Sequence, residues 1–95
     1  MAILTLIAAY DVRHDDRRAR LAAMLQSVGD RVQKSVFVLM IDSQSFSELR
    51  LRAGQIIDPD TDSLLFFRQC ATCWDSHVPL GQGHVPEEVT HWAVF

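Results

Sequence analysis

No stretch of this 95-residue chain approaches the roughly 18 consecutive apolar residues that a membrane-spanning helix needs. Residues 2–9 are apolar enough to resemble the core of a secretory signal. No basic region precedes them, however, and Tyr10-Asp11 follows where small residues would mark cleavage, so a cytoplasmic protein is expected. Cysteine is scarce: two residues do not make a secreted disulfide scaffold. Glycine is scarce as well, and its four residues form neither a phosphate-cradling loop nor a dinucleotide fingerprint. Repeats, low-complexity segments and a nucleophile triad are also missing.

What is present amounts to one domain, with 48% hydrophobic residues to build one core. A chain this short buries a modest fraction of its surface, so stabilisation by a second subunit is expected. The formal charge of −3 does not announce a nucleic-acid binder, but it is unevenly spread. Residues 1–34 carry six basic side chains against four acids, and residues 35–95 carry three against eight. An anionic partner should therefore meet the N-terminal part.

Ala2–Tyr10 reads as a central strand buried on both faces, because its apolar run is continuous and short. A helix opens at His14 or Asp15. Leu21, Met24, Leu25 and Val28 form its apolar stripe, and Gly29 stands where a C-terminal cap belongs. Residues 31–41 form one long bent strand, or two short ones split near Lys34-Ser35. Ser45-Phe-Ser-Glu48 has the capping-box pattern and opens a second helix with Phe46, Leu49, Ala53, Ile56 and Ile57 buried. Asp58-Pro-Asp60 stops that helix, and Asp62–Arg68 reads as a further strand. Cys70–Pro86 is loop-like, and residues 75–89 form the loop that leads to the last segment. Residues 90–95 suit a C-terminal strand that packs on a partner subunit. This order defines an α+β, ferredoxin-like β-α-β-β-α-β domain with an antiparallel sheet and an additional C-terminal strand.

Strand ends that run into a variable loop are where α/β folds hold ligands, and here the first strand ends at Asp11. Two readings of Asp11 stand on local pattern: a turn carboxylate bonding nearby amides, or a hard oxygen ligand for Mg²⁺ or Mn²⁺. Arg17, Arg18 and Arg20 form either a solvated helix face or a set of phosphate contacts, which Arg31, Lys34 and Ser35 could join. Cys70-x2-Cys73 has half of a zinc pattern. The spacing to His77 and His84 is not a usual second half, so buried or half-buried thiols following the last core strand are the favoured reading.

Tyr10-Asp11-Val12, then Asp15-Asp16-Arg17-Arg18-Ala19-Arg20-Leu21, then Gly29-Asp-Arg31-Val32-Gln33-Lys-Ser35-Val36-Phe37 together resemble the CRISPR-associated Cas-two (Cas2) family. Asp58-Pro59-Asp60-Thr-Asp62-Ser63-Leu64 and the Cys70-x2-Cys73 pair are similar to its second half. The resemblance implies a homodimer whose two first-strand aspartates face each other across a twofold axis. It implies a metal-dependent endonuclease on RNA or DNA that takes part in spacer acquisition with the Cas-one (Cas1) integrase. On it, Asp11 is the catalytic and metal-binding residue, with Mg²⁺ or Mn²⁺ as cofactor. Arg18, Arg20, Arg31 and Ser35 become phosphate contacts, and Tyr10 and Phe37 structural residues beside the cleft. A non-catalytic adaptor that bridges integrase dimers on duplex DNA, or a toxin-type ribonuclease of the same fold, are the alternatives. His14 departs from the pattern, standing where an acid is frequent.

Overall fold

The computed structural model describes residues 3–83. Its elements follow the chain as β1 (Ile3–Asp11), α1 (Asp15–Gln26), β2 (Gly29–Gln33), β3 (Val36–Asp42), α2 (Ser43–Ile56), β4 (Ser63–Gln69) and α3 (Ala71–Asp75). The four strands form one sheet in the order β2-β3-β1-β4, and every neighbouring pair is antiparallel. This is the ferredoxin-like arrangement: two β-α-β halves interleave, which puts β1 in the centre. Residues 31–41 divide into two strands at Lys34-Ser35, with an irregularity between Arg31 and Gln33.

One face of the sheet is closed. Leu6, Ala8 and Tyr10 of β1 and Phe37, Leu39 and Ile41 of β3 pack with Leu21, Met24 and Leu25 of α1 and Leu49 and Ala53 of α2. Each set recurs at the period of its element, two in the strands and three or four in the helices. Phe46 of α2 meets Phe66 of β4 edge-on, with ring centres 5.0 Å apart.

The other face is mostly open, which corrects the expectation that β1 is buried on both sides. Trp74 of α3 covers Val38 and Met40 of β3. Ile3, Leu65 and Phe67 remain 46%, 56% and 50% exposed. The pairings Ala9–Leu65 and Ile7–Phe67 place these side chains on one continuous strip.

Three boundaries also differ from expectation. Ser27, not Gly29, caps α1, and Gly29 opens β2. A Cβ at Gly29 would collide with the Val38 carbonyl oxygen, so close strand approach is what requires glycine there. Asp42, not Ser45, caps α2: its carboxylate accepts the Ser45 N–H at 3.2 Å and the Ser45 hydroxyl at 2.6 Å. The capping-box serine is thus the partner of the cap, one turn inside. Cys70–Pro86 is not all loop, because α3 forms once Trp74 finds apolar cover on the sheet. The expected strand at residues 90–95 lies outside the described residues.

Candidate functional site

Strand alternation decides what the end of β1 presents. Tyr10 points into the core with Leu6 and Ala8, while Asp11 turns to the open face and is exposed. The Tyr10 ring stacks on buried Phe37 with centres 6.2 Å apart. Its N–H donates to the Ser35 carbonyl at 3.1 Å, and its hydroxyl donates to the Lys34 carbonyl at 3.4 Å. These contacts hold the β2–β3 turn beside Asp11.

The third wall is α1. His14 caps it, its Nδ1 accepting the Asp16 N–H at 3.3 Å, and Asp15 and Asp16 suit the positive end of the helix dipole. Arg18 lies one turn in, donates Nη1 to the Val12 carbonyl at 3.1 Å and pairs with Asp15. The outcome is a cleft of roughly 260 Å³ lined by Tyr10, Asp11, Val12, Arg18, Lys34 and Ser35. One exposed carboxylate and two cations share it.

Not every residue singled out from sequence lines this cleft. The Arg31 guanidinium lies 5.1 Å from the centre of the Phe37 ring, a cation–π contact that joins it to the cleft only through Tyr10 and Phe37. Arg20 is exposed on α1 and does not line the cleft. Arg17 is committed elsewhere, to Asp62.

Asp62 is the residue that sequence reading missed. Its side chain has no water-accessible surface. It accepts Arg17 Nε at 2.8 Å and Nη2 at 3.3 Å, the Arg13 N–H at 3.3 Å, and the Asp58 N–H at 2.8 Å. One carboxylate thereby ties the loop after Asp11, the first turns of α1 and the α2–β4 connection together. The Arg17 hydrogen bonds, helped by the Asp58 and Arg13 amides, hold its pKa well below the usual carboxylate range. A signal existed in the Asp58-Pro-Asp-Thr-Asp62 cluster. Nothing local, however, distinguishes the acid that stops a helix from the one that reaches across to an arginine 45 positions earlier.

The donor set bears on which metal the cleft suits. A single accessible carboxylate beside open, polar space fits a hydrated Mg²⁺ or Mn²⁺ that keeps waters and takes phosphate oxygens; it does not build an all-protein cage. Just past α3, His77 Nδ1 lies 2.6 Å from the Trp74 carbonyl. Among the described residues no three His, Cys, Asp or Glu side chains converge, so Cys70, Cys73 and His77 do not form a zinc site.

Fold and cleft together define a class: small ferredoxin-like α+β domains with a carboxylate and basic groups at the end of the first strand. The family model for CRISPR associated protein Cas2 matches residues 4–77. The CRISPR-associated endoribonuclease Cas2 3 of Chloroflexus aurantiacus is 34% identical over 94 residues, covering 99% of this chain and 100% of that protein. The hypothetical protein TT1823 of Thermus thermophilus superposes with a TM-score of 0.81 at 35% identity, covering 90% of this chain and 100% of that one. A chain of a partial Cas6-RT-Cas1–Cas2 complex has the same fold, with a TM-score of 0.73 at 24% identity, over 81% of this chain and 90% of that one. The chain belongs to the Cas2 family.

Proposed function

We propose that the protein is a divalent-metal-dependent phosphodiesterase of CRISPR adaptation, acting on RNA or DNA as a homodimer. The observation that carries this reading is the cleft at the end of β1, where exposed Asp11 shares an open, phosphate-sized space with Arg18, Lys34 and Ser35. Relatives bear the names endoribonuclease and endonuclease alike, which leaves both polymers as substrates. Dimerisation is supported by the apolar strip of Ile3, Leu65 and Phe67. Asp11 lies on the same face, so burying that strip against a second copy carries both Asp11 carboxylates into one interface.

The chemistry follows from the groups present. Asp11 of each subunit would hold Mg²⁺ or Mn²⁺, which when bound supplies Lewis-acid polarisation of phosphate and an acidic water. Arg18 and Lys34 hold the scissile phosphate and offset the charge that develops on its oxygens. The Ser35 hydroxyl donates to the adjoining backbone, and Arg31 and Arg20 extend the basic track beyond the cleft. The Tyr10–Phe37 stack keeps Asp11 and the β2–β3 turn in register while the polymer binds.

Asp11→Ala, assayed on purified protein with single- and double-stranded RNA and DNA in Mg²⁺, should lower cleavage on the order of a hundredfold or more with the dimer intact. Undiminished cleavage overturns the reading. A second reading, an adaptor that joins Cas1 to duplex DNA without cutting, draws support from the thin donor set, since among the described residues Asp11 is the one carboxylate lining the cleft. The relative in the Cas1–Cas2 complex supports Cas1 as a partner. The same Asp11→Ala variant, introduced into an acquiring strain, separates the two: spacer acquisition persists for the adaptor and fails for the enzyme.

A further inference from the structure

Cys70 and Cys73 take no part in the cleft at the far end of β1, and neither thiol is used in packing. Both are free and exposed, not buried or half-buried as expected from the sequence, because Trp74 is the residue of this turn that packs against Val38 and Met40. Trp74 thus pins a rigid turn to the sheet and leaves the two sulfurs on its outer side. Cys70 immediately precedes α3, its backbone still extended at φ −78° and ψ 167°, and Cys73 follows one helical turn on. Side chains three apart on a helical turn are neighbours, and the extended residue can swing its sulfur toward the one above it. The Cys70 Sγ already points that way, accepting the Cys73 N–H at 3.3 Å. With no third metal-ligating side chain converging among the described residues, this arrangement suits sulfur–sulfur chemistry better than metal binding.

We infer that Cys70 and Cys73 form a reversible dithiol–disulfide site that exchanges with low-molecular-weight disulfides of the glutathione class. The Cys70 thiolate attacks one sulfur of the small disulfide, that S–S bond breaks, and one thiolate leaves, taking up the proton Cys70 gave up. Cys73 then loses its proton and attacks the Cys70 sulfur. The Cys70–Cys73 bond forms and the second small thiol departs. Two electrons pass from the protein dithiol to the small disulfide, which is reduced to two thiols. The order of attack follows from the hydrogen bonds. The Cys73 amide and thiol donate to Cys70 and hold its pKa down, whereas donation to Cys70 pushes that of Cys73 up.

The test uses the whole purified chain, reduced and then exposed to oxidised glutathione, with products read by intact mass and peptide mapping. The wild type should lose two hydrogens, retain no glutathione, carry the link between Cys70 and Cys73, and recover on adding reduced glutathione. Cys73→Ser should accumulate glutathione on Cys70. Cys70→Ser, which keeps a good helix-capping side chain and therefore the turn, should react several-fold more slowly. Stable glutathione adducts on the wild type, disulfides between chains, no reaction, or equal rates for the two serine variants would each overturn the inference.

Discussion

Asp62 is a carboxylate with no accessible side-chain surface, and it remains charged there because Arg17 and two backbone amides saturate its oxygens. Its folded-state pKa lies below its ordinary value of 3.8, so its contribution to stability is fully present above that pH. The contribution is lost as the pH falls and the folded carboxylate takes up its proton. Asp62→Asn should therefore lower the urea midpoint at pH 7, and the gap to wild type should narrow below about pH 4. A pH-independent gap would mean that the hydrogen bonds matter without the charge. Because Asp62 also holds the Arg13 amide, the same variant should reduce cleavage less than Asp11→Ala does, its effect being on the loop after Asp11. Asp11 itself was legible as a strand-end acid. That it stands in a cleft with Arg18 and Lys34 was not, since the β2–β3 turn reaches it through Tyr10 from more than twenty positions away.

The element scale shows where local rules were overridden by neighbours. A glycine three residues past the end of α1 looks like a helix cap, but Gly29 is needed because β2 approaches the Val38 carbonyl too closely for a Cβ. Gly29→Ala should therefore destabilise the protein by about 1–3 kcal/mol in urea or thermal unfolding, since the contact is with backbone and cannot relax cheaply. Gly54 gives a contrast within α2: a Cβ there meets nothing within 4 Å, and Gly54→Ala should raise stability by about 1 kcal/mol. Capping of α2 makes the same point. Ser-x-x-Glu is a good local signal, yet Asp42 at the end of β3 reaches Ser45 first, because β3 runs straight into the helix with no intervening loop.

For the molecule as a whole, the open half of the sheet is the face on which the proposed homodimer rests. Leu65 and Phe67 stand half-exposed on a strip that includes Ile3 and continues toward Asp11, and water-facing patches of this kind mark interaction surfaces. If the proposed homodimer forms through this strip, Phe67→Asp should convert it to monomer in sedimentation analysis, because burying an unpaired charge outweighs what the rest of the strip contributes. Circular dichroism should stay unchanged, as position 67 lies outside the core. If cleavage needs both Asp11 carboxylates, it should fall with the dimer. A variant that stays dimeric would move the interface elsewhere.

The order of the sheet strands and of α1 and α2, and with it the ferredoxin-like fold, was legible in the sequence, whereas α3 was not. Apolar period sets each element, and charged or proline-bearing breaks separate them. Three things waited for the tertiary structure. Burial of β1 on one face only depends on where α3 lands, and α3 itself depends on Trp74 meeting Val38 and Met40. The membership of the cleft depends on a turn and a helix converging on one strand end. Arg17 and Asp62 are paired across the chain by packing, a contact that period and composition cannot encode because they describe only neighbours in sequence.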